Sequence, residues 1–414
     1  MEFMLITLAF SVMAGLLMSR AAKVVNLPSV TAYLIAGLCI GPFLLGRLGI
    51  KGIGFSSLEY VDSFSIISQA ALGFIAFEIG NEFRLKDLKS MGKSAITIGI
   101  LQAVITTIIV DIALILLHFA APSLISISSA ITLGAIAAAT APAATLMVVA
   151  IDDAVGLVLF SISFGVASAL ETGIISFIGV VLEPMLELVL SLGFGLLGGF
   201  LLNWLEKYFH SRSKRMSLAV AFVLLTVGVS LLEWEIGGVH FGFSLLLVCM
   251  VEGTVFCNIN ETSEELMDRV DRWTGPLNML FFVLSGAELN LNVLSNPLVL
   301  IVGLIFIAFR SLGKISGAYL SCRLEKTSPT IQKYLGITLL PQAGVALGMA
   351  LTARNLSDGE IVRNVVLFAV LVYELVGPTL TKWALLKSGE IKLEGRSNAR
   401  TPNILDNKPG ITIK

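Results

Sequence analysis

Two adjacent aspartates, Asp152 and Asp153, interrupt the apolar run Val148-Val149-Ala150-Ile151-Asp152-Asp153-Ala154-Val155-Gly156-Leu157-Val158. A carboxylate at bilayer depth is costly to keep, and where one is kept it marks an ion or proton pathway. Two in succession are hard to explain by packing. A carboxyl group between a low-dielectric wall and water can hold a proton or a hard cation but not both. That competition is the chemistry of an ion transporter that moves protons.

Two cations also lie inside an apolar run. Lys314 stands in Phe309-Arg310-Ser311-Leu312-Gly313-Lys314-Ile315-Ser316-Gly317, four residues after Arg310 and therefore on the same helix face. It sits well inside its apolar run, too far in for easy snorkelling, so it needs a carboxylate partner, and the aspartate pair is the candidate. Arg310 is deeper still. Glu374, in Val372-Tyr373-Glu374-Leu375-Val376-Gly377-Pro378, is its candidate partner in a structural ion pair.

Two interrupted helices could position these groups. Ala137-Ala138-Ala139-Thr140-Ala141-Pro142-Ala143-Ala144-Thr145 and Leu339-Leu340-Pro341-Gln342-Ala343-Gly344-Val345-Ala346 each put a proline, Pro142 or Pro341, mid-span beside small and polar residues. Proline removes a helical hydrogen bond and clashes with the preceding turn. At membrane depth such breaks persist where protein or a watery cavity satisfies the freed backbone groups. Broken helices in corresponding positions of two halves point to a transport site near the midplane.

Composition supports a polytopic membrane protein: 56% of residues are hydrophobic, only 14% are charged, and mean hydropathy is +0.90. A net charge of −1 gives no sign of nucleic-acid binding. Cys39, Cys249, Cys257 and Cys322 lack metal-ligand spacing and read as packing residues. His118, His210 and His240 are dispersed, so no metal centre or cofactor is expected, and no nucleophile stands with a base as in an enzyme.

Apolar runs long enough to cross a bilayer cover 3–19, 28–46, 63–80, 95–118, 124–149, 154–171, 176–203, 216–233, 236–257, 276–294, 297–320, 334–353 and 363–386. The fold class expected is all-α with about thirteen transmembrane helices. Basic residues cluster after the third run (Arg84, Lys86, Lys89, Lys93), the seventh (Lys207, Arg212, Lys214, Arg215), the eleventh (Arg323, Lys326, Lys333) and the last. The positive-inside rule then puts the N-terminus outside and the C-terminus in the cytoplasm. The charged stretch from Asn260 to Arg272 reads as a cytoplasmic linker, potentially an amphipathic surface helix. Glu78 and Glu82 read as a solvated helix end, with an ion-attracting funnel or a pH sensor as the functional alternatives, and Asp111 and Glu252 have no assigned role.

Taken together these motifs resemble the monovalent cation–proton antiporters of the bacterial sodium–proton exchanger type. The matching residues run in order: Leu27-Pro28-Ser29-Val30-Thr31-Ala32-Tyr33-Leu34-Ile35-Ala36-Gly37 with Gly41-Pro42, Thr140 to Thr145, Asp152-Asp153, Arg310 with Gly313-Lys314, Pro341 to Ala346, and Glu374 with Gly377-Pro378. The resemblance implies a homodimer in the cell (inner) membrane and inverted repeats whose two broken helices cross in a mobile core. It divides the chain into scaffold and dimerisation helices (1–93), a first core repeat (94–171), further scaffold and a linker helix (172–295), a second core repeat (296–388) and a polar cytoplasmic tail (389–414). It implies Asp153 as the cation and proton ligand, Asp152 as the partner of Lys314, and Thr140 beside them, so that Na+ or Li+ would bind at Asp153, Asp152 and Thr140. Lys314 would act as a charge partner and proton carrier, and the double acid is associated with electrogenic exchange. The large C-terminal nucleotide-binding domain of many potassium-efflux relatives is expected to be missing. K+/H+ exchange and a non-transporting membrane sensor on the same scaffold are the alternatives.

One spacing departs from that pattern. Pro341 is 33 positions before Glu374, whereas Pro142 is only 10 before Asp152. Ten helical residues span about 15 Å, half a bilayer and not a return trip. The expectation is that a cytoplasmic hairpin is absent, with a break in the chain between about Val149 and Ala150, wider than the roughly 3.8 Å of a trans peptide. In a continuous chain the aspartate pair would be misplaced and transport lost, which favours the sensor reading.

Overall fold

The computed structural model describes residues 2–24, 28–50, 52–86, 93–140, 146–171, 183–232, 234–236, 239–289 and 297–388. These form α1 (Glu2–Val24), α2 (Ser29–Ile40), α3 (Leu58–Asp62), α4 (Ser65–Asn81), α5 (Lys93–Ala120), α6 (Ile127–Ile136), α7 (Leu146–Glu171), α8 (Glu183–Glu206) and α9 (Arg212–Ser230). A hairpin, β1 (Trp234–Ile236) and β2 (Val239–Phe241), precedes α10 (Leu245–Ile259) and α11 (Ser263–Ala287). The chain closes with α12 (Pro297–Leu324), α13 (Pro329–Thr338), α14 (Gly344–Thr352) and α15 (Gly359–Ser388). Among the described residues, eight helical segments are long and apolar enough to cross a membrane, with α6 and α10 shorter but apolar.

An internal repeat is visible in helix lengths. α5 and α12 each have 28 residues; α6 and α13 each have 10. Both ten-residue helices start at a serine cap: Ser126 accepts from the Ser129 N–H and Ser328 from the Ile331 N–H. Each therefore covers about 15 Å, half a bilayer. α5 and α12 run antiparallel at close range. A Cβ on Gly313 would meet the Thr106 Cα at 2.9 Å, and one on Gly317 would meet the Gln102 carbonyl oxygen at 3.1 Å. This small-xxx-small spacing lets two membrane helices approach backbone to backbone, and it carries Lys314 to the middle of the bundle. α6 and α7 pack on α5, α13 and α15 pack on α12 and on each other, and α14 packs on α15. A second group joins α4 to α10, α10 to α8, and α2 to α11.

Four expectations are corrected. The run 124–149 is not one crossing: α6 ends at Ile136, and Ala137–Thr140 leave the helix after two tightened bonds, Ala138 N–H to Ala135 O and Ala139 N–H to Ile136 O. α7 is helical through Val149 and Ala150, with no chain break there. Thr140 contacts Asp152 while Ala138 faces Gly156, so α7 runs back along α6. No return trip is needed because α6 itself is only ten residues long, about 15 Å. The run 236–257 starts with the β-hairpin, in register Trp234↔Phe241 and Ile236↔Val239, and becomes helical only at Leu245. Residues 263–272 are not a separate linker helix but the first turns of α11, fixed by Arg84 to Glu264 and Arg212 to Glu265 ion pairs.

Candidate functional site

Asp152 lies on the face of α7 turned toward the bundle and is completely buried. Its Oδ1 accepts from Gln102 Nε2 on α5, and its Oδ2 accepts from the Thr140 hydroxyl and, at 2.6 Å, from the Lys314 ammonium. Lys314, also fully buried, donates further to the Thr140 hydroxyl at 2.7 Å and to the Ala138 carbonyl. Every ammonium proton has an acceptor. An ion pair removed from water holds together only when such extra hydrogen bonds satisfy both charges. Contrary to the expectation for a continuous chain, Asp152 stands against Lys314 and Thr140, not away from them.

The first break is held by side chains from the other repeat. Arg310 donates through Nε to the Ala137 carbonyl (3.1 Å), through one terminal nitrogen to Ala139 (2.7 Å) and through the other to Leu340 (2.8 Å). Its guanidinium lies over the Tyr373 ring at 4.4 Å. Gln342 Nε2 donates to the Ile136 carbonyl at 2.9 Å. The four carbonyls from Ile136 to Ala139 are thus satisfied by Gln342, Arg310, Lys314 and Arg310 again. This corrects the expected Arg310–Glu374 pair, which does not occur among the described residues. The guanidinium fork is taken up by carbonyls that a broken helix exposes, and Glu374 instead lines a cavity. Asp153 follows Asp152 on α7, but its side chain lies outside the described residues, as does Pro142. Pro341 is in the second break, packed on Gly377.

That cavity, of about 1080 Å³, reaches inward to Thr140, Pro341 and Glu374. Its outer walls carry Glu78, Glu82, Glu264, Asp268 and Asp271 against Arg84 and Lys382. An excess of carboxylates in a low-dielectric cleft raises the local concentration of cations. Glu78, at the end of α4, accepts from the Thr274 hydroxyl at 2.6 Å. At the opposite end of the bundle Arg354 pairs with Asp62, and Arg363 with Glu288 at 2.7 Å. The hydrogen bond from Arg354 to Asp62 is the chief reason that this guanidinium is pushed above its ordinary pKa.

The family described as sodium/hydrogen exchanger, transmembrane, matches residues 8–387. The chain belongs to the sodium/hydrogen exchanger family. It is a membrane-embedded transporter exchanging a cation for protons. Two structures of a sodium proton antiporter from Methanocaldococcus jannaschii, MjNhaP1, share the fold. One, at pH 8, has a TM-score of 0.71 and 19% identity, covering 94% of this chain and 100% of that one. The other, from electron microscopy, has a TM-score of 0.67 and 18% identity, covering 94% and 97%. For an exchanger of this family the buried Asp152–Lys314 pair beside a cation-attracting cavity is the feature to explain. Gln102 escaped the sequence reading. Its signal was an amide in the otherwise apolar stretch Gly99-Ile100-Leu101-Gln102-Ala103-Val104.

Proposed function

We propose that the exchanged cation is Na+ or Li+, that it binds at Asp153, Asp152 and Thr140, and that exchange is electrogenic. One observation carries this reading: the Asp152–Lys314–Thr140 cluster is buried at the inner end of an acid-lined cavity. A cation descending the cavity meets the Thr140 hydroxyl first, then the Asp152 carboxylate bonded to it. Oxygen donors of this kind suit a small hard ion. When the cation takes Asp152 from Lys314, the ammonium loses its counter-charge and releases a proton, adding a second charge to the cycle.

The cavity shares its end of the molecule with Arg84 and with the Lys207–Arg215 loop. By the positive-inside rule it opens to the cytoplasm, with the N-terminus outside, the C-terminus inside and the protein in the inner membrane. Alternating access follows from movement of a core, 94–171 with 296–388, against a scaffold, 1–93 with 172–295. The packing groups α5–α7 with α12–α15 on one side and α2, α4, α8, α10 and α11 on the other, which fits that division. Thirteen membrane segments and a homodimer complete the reading.

The test is proton flux in everted vesicles on addition of Na+, Li+ or K+. Asp153→Asn is expected to abolish it, and retained dequenching on Na+ would refute the assignment. Lys314→Ala is expected to change the proton-to-ion ratio; an unchanged ratio rules it out as a proton carrier. A response to K+ alone would make the chain a K+/H+ antiporter, and none to any cation a sensor.

A further inference from the structure

Asp152 has a third partner that the exchange scheme does not use. Gln102 is completely buried on α5, at the point where Gly317 lets α12 approach. Its Nε2 donates to Asp152 Oδ1 and, at 3.4 Å, to the Gly99 carbonyl. Its Oε1 is buried with no hydrogen-bond partner among the described residues. A half-satisfied amide in a buried site is unfavourable, so packing alone would be served better by Met or Leu. The helix does not need the side chain either, since the Gln102 carbonyl already accepts from Thr106 at 2.7 Å.

The two carboxylate oxygens of Asp152 are used differently. Oδ2 is shared by Lys314 and Thr140, the two groups a cation must displace or join. Oδ1 is held by Gln102. The three partners come from three elements, α5, the first break and α12, and together they fix the plane of a side chain that otherwise has two rotatable bonds.

We infer that Gln102 is a positioning residue for exchange: it anchors Oδ1 so that Oδ2 alone changes partner between the Lys314 ammonium and the transported cation. This rests on the reading of Asp152 and Asp153 as the exchange site. Without the anchor the carboxylate follows Lys314 or turns both oxygens onto the cation. The preorganised spacing that distinguishes ions by radius is then lost.

The experiment uses the purified full chain in proteoliposomes, measuring cation-driven proton flux with Li+, Na+ and K+. Gln102→Met keeps length and shape but has no donor; Gln102→Asn keeps the amide but falls one methylene short. Loss of one charge-assisted hydrogen bond corresponds to about a tenfold change in affinity. Both variants are expected to raise the apparent KM for Na+ by about tenfold, to keep Vmax within about twofold, and to bring the Li+, Na+ and K+ values together. A lower Vmax with unchanged KM is what a packing role gives, and it overturns the inference. So does failure of both variants to fold, which would make Gln102 structural. If only one folds, its KM decides. A wild-type chain with no cation-driven flux removes the exchange reading and this inference together. An active wild type with unchanged KM in the variants removes only the inference.

Discussion

The two helix breaks start alike and are held differently. Each follows a ten-residue helix with a serine cap. Beyond the second break the chain continues as α14, and Pro341 packs on Gly377 of α15, where an added Cβ would come within 2.9 Å of the proline ring. Beyond the first, the next described helix is α7, running back the other way. The carbonyls of the first break are satisfied by Arg310, Lys314 and Gln342, all from the second repeat. Packing and one hydrogen bond from Arg310, of its own repeat, to the Leu340 carbonyl hold the second break, whereas donors imported from the other repeat hold the first. The proposed exchange site sits at the break held by imported donors, so a cation that competes with Lys314 for Asp152 would act directly on what keeps that backbone in place.

The sharpest way to break this comparison is Arg310→Met. It removes hydrogen bonds to three carbonyls, each worth roughly 1.5–3 kcal/mol when the donor is charged. Their sum is comparable with the whole stability of a typical domain, roughly 5–15 kcal/mol. The expected outcome is no monodisperse protein in detergent. A folded variant melting within a few degrees of wild type would mean that the first break is held by something else.

Next in size are the ion-pair variants. Asp152→Ala and Lys314→Ala each leave a buried charge without its partner and are expected to cost roughly 3–5 kcal/mol. Replacing both, as Asp152→Leu with Lys314→Met, removes the two charges together and is expected to cost less than either single change. Thermal unfolding of the four proteins checks this. A double variant as unstable as the sum of the singles would show that the pair is not coupled. Gly377→Val should cost about 1–3 kcal/mol by overpacking against Pro341 while leaving Na+ affinity unchanged, because it disturbs only the second break. A large fall in affinity would show that the two breaks are not separable.

Much of the site was legible because depth is expensive. A lysine and an aspartate in apolar runs each need a counter-charge, and their runs lie in opposite repeats, so their meeting could be reasoned from residue type alone. Prolines amid small residues marked both breaks. Arg310 misled because its real acceptors are backbone carbonyls, which every residue carries and no sequence pattern announces; the nearest acid in an apolar run, Glu374, was the visible but incorrect partner. The length of α6 was illegible for a similar reason. Ile131 to Thr145 carries no charge and is apolar but for three threonines, and hydropathy cannot distinguish a half-length helix from a full crossing. The ten positions from Pro142 to Asp152 were read as about 15 Å of straight helix, and the inference of a misplaced acid followed from that; Thr140 instead touches Asp152 because α7 runs back along α6. The β-hairpin at 234–241 was hidden by its aromatic and aliphatic residues, which read as the start of a span.

The smallest effect discriminates most finely. Gln342→Met removes one neutral donor, worth about 1 kcal/mol, and the residue lies in the second break. If the first break depends on the second repeat for its hydrogen bonds, the consequence should appear elsewhere. The Ile136 carbonyl loses its side-chain donor and keeps only the Ala139 N–H, α6 frays at its last turn, and the amides of Ala137 to Ala139, bonded back to residues 133–136, become easier to exchange. Hydrogen–deuterium exchange should rise in peptides covering 133–140 and stay unchanged in those covering α14. A rise confined to Leu339–Gly344 would place the role of Gln342 in its own break and would end the distinction between a break held by the opposite repeat and one held within its own.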